Sequence, residues 1–298
     1  MTTVKILAAL DFGDSSLEAL RQARALAHAV GGTLAACHVL PGSHDLADLF
    51  PSRSLVADTD IVAEDRQVRE ALKEHVRTKL GLELDEVFIE RGSTYAALVH
   101  CAQNHAADFL VVGSHEGRAL TRAVLGSVAE RAVRHAHCSV LVARPAQKAG
   151  VVVAATDLSD PSLPAIAAGA AAAKRRGAKL LVVSALEWNE GAAGAAAGLI
   201  GAMPVVAPVE LQRQVREVLR STLEQAMTRA GAVGEARVLD GPPAPAIVDC
   251  ATEVGAELIV VGTHGRTGLA RLALGSVAEH VIRDADCSVL AVRQAGPG

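Results

Sequence analysis

The sequence predicts an α/β protein made of two tandem open parallel-sheet domains, and three observations carry that expectation. Val111–Arg144 and Val260–Arg293 align without a gap at a constant offset of 149, with 19 of 34 positions identical; a repeat this long marks a duplicated domain, not a solenoid. Within each half, β-rich runs alternate with segments of helical periodicity, which implies right-handed crossovers and a parallel sheet covered on both faces. Half of the 298 residues are hydrophobic while only 2% are aromatic. The cores must therefore be filled by Ala, Val and Leu, side chains that suit close packing of helix on sheet.

In the first half, Val4–Leu10 is a β-rich run, and an Asp/Ser cluster caps a helix over Ser15–Val30 with apolar residues at helical spacing. Thr33–Leu40 is the next strand. After a polar, Pro-containing connection come a charged helix (Ala63–Leu80), a short strand (Val87–Glu90), a helix (Tyr95–His105) and the apolar strand Phe109–Gly113. A helix over Ser127–Ala136 and a strand over Ser139–Ala143 close the copy. The second half follows suit: Val151–Thr156, Ser162–Arg176, Leu180–Ala185, Val209–Ala230, Ala236–Leu239, Pro245–Val254, Leu258–Val261, Ser276–Asp284 and Ser288–Val292. Ala146–Gly150 reads as the linker, so the expected domains are 1–146 and 150–298.

Composition excludes several function classes. A net charge of −4 and a pI near 6.3 give no electrostatic footprint for nucleic acid or anionic lipid. Five scattered cysteines without a Cys-x-x-Cys pair do not make a disulfide scaffold, and a reducing cytoplasm is expected. The N-terminal apolar run is too short for a secretory signal and ends in Asp11. Gly191–Val209 is uncharged, but its Ala/Gly composition and Pro204 and Pro208 make it a poor membrane helix.

In an open parallel sheet, ligands sit at the carboxyl ends of the strands where the strand order reverses. After the fourth strand of the second half the sequence runs Gly262-Thr-His-Gly265-Arg266 and on through Arg271 to Gly275-Ser276, a Gly-x2-Gly-x9-Gly-Ser pattern. Glycines let the backbone turn and approach a ligand, and the Ser276 hydroxyl with the N–H groups of Ser276 and Val277 starts a helix whose positive end suits phosphate. Arg266 and Arg271 add positive charge. Asp157, at the end of the first strand, is placed to accept hydrogen bonds from a base or ribose.

This pattern resembles the universal stress protein family, and the resemblance covers almost the whole chain as a tandem pair. In that family the glycine pattern marks the ATP-binding members. The resemblance implies an adenine nucleotide alpha hydrolase-like fold, five strands per domain in the order 3-2-1-4-5. It also implies that the fifth strands, Ser139–Arg144 and Ser288–Arg293, meet antiparallel as an intrachain pseudo-dimer, covering two exposed edges. It places Asp157 and Ala185 at adenine and ribose, Val261 and Gly262 beside the sugar, and Gly265, Gly275, Ser276 and Val277 on the phosphates of ATP, with Mg2+ as its companion ion.

The first half departs from the pattern: its loop runs from Gly113 through His115, Glu116 and Gly117 to Gly126-Ser127, with Glu116 where the second glycine belongs. A carboxylate there restricts the backbone and sets negative charge beside a triphosphate. Asp11, Val39, Val112, Gly113, Gly126, Ser127 and Val128 are therefore expected to form a weaker second site, or only to brace the other half.

His135-Ala-His137-Cys138 has metal-ligand residue types, but its counterpart Asp284-Ala-Asp286-Cys287 reads as a polar turn, and no metal site is expected. The cysteines read as small buried hydrophobes. His115 and His264 lie inside the loops without an assigned catalytic role, and Thr263-His264-Gly265-Arg266 lies after the wrong strand for a nucleotidyltransferase. Glu187–Val209, opening with Trp188, reads as a loose connection or a flap over the nucleotide. No GxxxxGK loop, lysine clamp or evident base is present, and phosphoryl transfer needs such positioned groups. The leading expectation is a cytoplasmic ATP-binding regulatory protein of the stress-response type without a catalytic site. The alternatives are a slow ATPase using metal-bound ATP, with Ser276, Arg266 or His264 assisting, and a structural module with vestigial sites. A homodimer is open; nucleic acid and membrane are not expected as partners.

Overall fold

The computed structural model describes residues 3–41, 58–114, 125–145, 150–187, 209–264 and 274–293. The chain forms two compact units. One comprises residues 1–146, 269–274 and 282–298, the other residues 147–268 and 275–281. The first unit holds β1 (Lys5–Ala9), α1 (Asp14–Val30), β2 (Thr33–Leu40), α2 (Asp58–Leu80), β3 (Glu86–Arg91), α3 (Thr94–Asn104), β4 (Phe109–Gly113), α4 (Ser127–His135) and β5 (Ser139–Ala143). The second half of the chain contributes β6 (Val151–Ala155), α5 (Pro164–Arg176), β7 (Lys179–Leu186), α6 (Val209–Arg229), β8 (Glu235–Asp240), α7 (Pro243–Val254), β9 (Leu258–Gly262), α8 (Ser276–Asp284) and β10 (Ser288–Val292). Among the described residues, no helix is long and apolar enough to cross a membrane.

In the first unit the strand order is β3-β2-β1-β4-β5, with β10 following β5. The first five strands are parallel to their neighbours, and β10 runs antiparallel to β5. Strand β1 is buried on both faces, with Ile6, Leu7 and Ala8 fully enclosed, as a central parallel strand covered by crossover helices must be. The second unit repeats the arrangement in the order β9-β6-β7-β8, all parallel.

The fifth strands of the two repeats meet as the family resemblance implied, with Val289 opposite Val142, Leu290 opposite Leu141 and Ala291 opposite Val140. Polar ties flank this apolar ladder. The buried guanidinium of Arg144 donates to the Ile282 carbonyl at 2.6 Å and to the Cys287 carbonyl at 3.3 Å, while the Arg144 N–H donates to Ser288 Oγ at 3.0 Å. Its counterpart Arg293 donates its N–H to Ser139 Oγ at 3.3 Å and its guanidinium to the Ala136 carbonyl. Each arginine thus serves carbonyls at or just past the end of a helix from the other repeat, the negative end of the helix dipole. Burial lowers the pKa of both guanidiniums, and the arginine pKa lies high enough that both stay charged.

Several strand and helix ends differ from the sequence pattern by one residue, and three helix starts differ by more. Helix α5 begins at Pro164, not Ser162, and α7 at Pro243, not Pro245. Proline is pre-set for the first helical turn, where its missing N–H costs nothing. Helix α2 begins five residues earlier than its apolar pattern, at Asp58.

Candidate functional site

In the second unit, Ala155 of β6 stands level with Val183 of β7 and Val261 of β9. Asp157, Ala185 and Gly262 therefore emerge together at the carboxyl edge of three adjacent strands. The loop after β6 then folds back on its own carboxylate. Asp157 Oδ1 accepts the Ser159 N–H at 3.0 Å, the Ser159 hydroxyl at 2.5 Å and the Ser162 hydroxyl at 2.6 Å. Ser162 Oγ lies 2.7 Å from Thr156 Oγ1, which accepts the Leu158 N–H at 3.0 Å. Leu158 is held at φ +62°, a left-handed conformation that costs a residue with a Cβ about 1–2 kcal/mol. The loop is strained, and hydroxyl bonds to the carboxylate hold it.

The loop after β9 is closed at its base: the Gly275 N–H donates to the Thr263 carbonyl at 2.9 Å, and the Gly275 carbonyl accepts the Glu279 N–H at 3.0 Å. Gly275 thus stands at the N-cap of α8, with Ser276 and Val277 in the first turn, where the helix dipole is positive. This brings Val261, Gly262, Gly275, Ser276 and Val277 together at the strand edge that carries Asp157 and Ala185. Gly265, Arg266 and Arg271 lie outside the described residues, as do Trp188 and the Ala/Gly stretch after it. His264 Nδ1 lies 2.9 Å from Thr263 Oγ1.

The first unit repeats the construction. The Gly126 N–H donates to the Ser114 carbonyl at 2.8 Å, so Gly126 caps α4 ahead of Ser127 and Val128. Asp11 Oδ1 accepts the Gly13 N–H at 2.7 Å. Val39 in β2 and Val112 and Gly113 at the end of β4 complete the expected set. Here, however, the half-exposed Phe12 ring packs edge-on against His38 at 6.0 Å between centroids and against His75 at 5.4 Å. His38 Nδ1 lies 2.8 Å from the Leu10 carbonyl. Since that carbonyl can only accept, Nδ1 carries the proton. His115, Glu116 and Gly117 lie outside the described residues.

Two features escaped the sequence reading. The first is the role of Ser159 and Ser162, whose signal is the spacing Asp157-x-Ser159-x-x-Ser162, matched by Asp11-x-Gly13-x-x-Ser16 in the first half; such spacings suit side chains that bond the backbone of a turn. The second is the Phe12–His38–His75 cluster, whose members lie in the loop after β1, in β2 and in α2.

All five cysteines are reduced and buried. Burial pushes the Cys138 thiol up to about 11, and the hydrogen bond with Cys101 followed by burial raises that of Cys37. Neutral thiols in such surroundings behave as small hydrophobes.

The universal stress protein family model matches this chain twice, over residues 3–144 and 149–293. A universal stress protein of Methanocaldococcus jannaschii is 40% identical over 87 residues, 27% of this chain and 51% of that one. One from Mycobacterium tuberculosis is 32% identical over 206 residues, 64% of this chain and 63% of its own length. The chain thus spans less than two thirds of the length of these curated relatives. Among solved structures, a universal stress protein from Archaeoglobus fulgidus has the same fold, with a TM-score of 0.63 at 17% identity over 99% of this chain and all of that one.

Proposed function

Because the chain belongs to the universal stress protein family as a tandem pair of its domains, we propose that it is an ATP-binding regulatory protein of the cytoplasm, with its principal site in the domain over 150–298 and a weaker one in the domain over 1–146. The observation that supports this reading is the convergence, at one strand edge, of the Asp157 carboxylate with the N-terminus of α8, drawn in by the bond between Gly275 and Thr263. A carboxylate accepts hydrogen bonds from a base or ribose, and a helix N-terminus holds the anionic tail. Asp157 and Ala185 would take the adenosine, Val261 and Gly262 the sugar's flank, and Gly265, Gly275, Ser276 and Val277 the phosphates, with Mg2+ accompanying them. Nucleotide occupancy would then set the order of the loop between β9 and α8, and with it the binding of a protein partner.

The test is calorimetric titration of the intact protein with ATP and magnesium, alongside release of any co-purified nucleotide by denaturation. The expected result is a stoichiometry of about one ATP per chain and, at a ligand concentration of about 100 Kd, a stabilisation of about 2.7 kcal/mol. Gly265→Glu, which writes the residue of the first loop into the second, is expected to abolish it. Absence of heat and of any thermal shift at millimolar ATP would refute the proposal and leave the sites vestigial. Phosphate release that saturates with ATP and is lost in the same variant would point to the slow ATPase.

A further inference from the structure

At the opposite edge of the second unit, where β6, β7 and β8 begin, lies a cavity of about 350 Å3. Val151, Leu180, Leu181 and Val254 give it apolar walls, and the exposed Val233 stands at its mouth with Lys179, Glu235 and Arg237. Internal repetition explains why it exists. The β2–β3 register sets Cys37 beside Phe88, and the β7–β8 register sets Val183 beside Arg237, so Arg237 occupies the place of Phe88. Val254 likewise stands four residues past Cys250, as His105 stands four past Cys101. In the first unit, Phe88 and His105 meet edge to face at 5.3 Å. The second unit has a valine in place of one ring and, in place of the other, an arginine whose guanidinium turns to Glu235 and Glu253.

The two cations and two carboxylates at the rim balance, but both ion pairs fall on Arg237. Arg237 is held by Glu235 at 3.2 Å and Glu253 at 3.7 Å. Lys179 is exposed, and no carboxylate among the described residues pairs with it. We propose that this cavity is a second ligand site, for a small monocarboxylate whose apolar body fills the space of the missing rings and whose carboxylate meets Lys179. Its volume falls in the range of small-molecule pockets, and apolar walls with one charged group that fixes orientation are their usual make-up. The site lies at the amino ends of the strands, so it stands or falls independently of nucleotide binding.

The test uses the intact protein with methyl-labelled Val and Leu, titrated with sodium octanoate and, separately, with octanol. Saturable shifts of the Val151, Leu181 and Val254 methyl signals are expected, with a dissociation constant below about 1 mM. Octanol should bind about tenfold more weakly, because a charge-assisted hydrogen bond is lost. Lys179→Met, a surface change, should weaken octanoate by about the same factor and leave octanol unaffected. The double variant Arg237→Phe with Val254→His, which installs the rings of the first unit, should remove saturable binding of both. Failure of octanoate to saturate these signals by about 10 mM, equal affinity for octanol, or unchanged octanoate binding in Lys179→Met would each overturn the proposal.

Discussion

Replacing Ser162 by alanine tests whether the loop after β6 is built to present the Asp157 carboxylate. Ser162 is 5% exposed, and its hydroxyl has one proton to give. Of the two acceptors in reach, Asp157 Oδ1 at 2.6 Å and the Ser159 carbonyl at 2.9 Å, the carboxylate is the stronger. The Thr156 hydroxyl then donates to Ser162 Oγ at 2.7 Å, and the Leu158 N–H donates to Thr156. The result is a relay of three hydrogen bonds ending on the carboxylate, each polarising the next. Ser162→Ala removes one charge-assisted bond and leaves the Thr156 hydroxyl without its acceptor. A hydrogen bond to a charged group contributes about 1.5–3 kcal/mol, so a loss near 2 kcal/mol is expected. For a unit of this size that is a Tm lower by about 4–8 °C. If the relay also sets the carboxylate for a ligand, ATP affinity should fall about tenfold, the equivalent of about 1.4 kcal/mol. Ser159→Ala is the milder control, since the Ser159 N–H remains on the carboxylate. The assays are urea unfolding and calorimetric titration on the same preparations. A stability loss with ATP affinity unchanged would refute the positioning role of the loop, and stability unchanged within about 0.5 kcal/mol would refute the relay itself.

Arg144→Ala removes the buried donor to the Ile282 and Cys287 carbonyls and should cost about 3 kcal/mol in urea unfolding, while an exposed control such as Arg213→Ala should leave the unfolding midpoint unchanged. Ala106, at φ +52° just past α3, occupies the place held by Gly255 at φ +62° past α7; Ala106→Gly should raise stability by about 1 kcal/mol, measured by thermal unfolding. The thiol of Cys138, raised by burial from 9.0 to about 11, binds its proton more tightly in the folded state. Its contribution is therefore complete below about pH 9 and is lost as pH rises towards about 11, so a Cys138→Ala variant should show a shallower fall in stability over that window in denaturant titrations.

The α/β class and the duplication were legible because each rests on a long signal, and the antiparallel meeting of β5 with β10 followed from the family resemblance. Cys138-Ser139-Val140-Leu141 and Cys287-Ser288-Val289-Leu290 announce two copies of one edge strand, and such edges are normally paired or covered. Helix starts were less legible. The sequence pattern opens a helix at Ser162, but its hydroxyl serves Asp157 and the helix waits for Pro164. A hydroxyl's choice between capping a helix and holding a carboxylate is tertiary information. The Phe12–His38–His75 cluster was hidden for the same reason, since its members are brought together by β1, β2 and α2. The cavity beside Val254 is less visible still, being defined by rings the second repeat lacks.

The glycine pattern itself needs dividing into parts. A Cβ on Gly262 would lie 3.0 Å from the Ser162 Cα and 3.1 Å from the Pro161 carbonyl oxygen; on Gly113 it would lie 2.4 Å from Ser15 Oγ and 2.8 Å from the Ser15 carbonyl carbon. In the first repeat the first glycine of the pattern is therefore demanded by the chain packed against the end of the fourth strand, and in the second that chain is close enough that a Cβ would fit only if it gave by a few tenths of an ångström, whether or not a nucleotide binds. The closing glycines are also matched: Gly126 and Gly275 each bond back to the residue after that strand, at 2.8 and 2.9 Å. Neither position distinguishes the repeats. What distinguishes them is the second position, Glu116 against Gly265, together with the residue after the first aspartate, an aromatic Phe12 against the strained Leu158. A preference of ATP for one domain has these two positions as its first candidates, beside Val39 against Ala185 and Gly13 against Ser159. Exchanging Glu116 for glycine, alone and together with Phe12→Leu, separates them: a second ATP gained by the single variant assigns the preference to the loop carboxylate, and one gained only by the double variant assigns it to the ring beside Asp11.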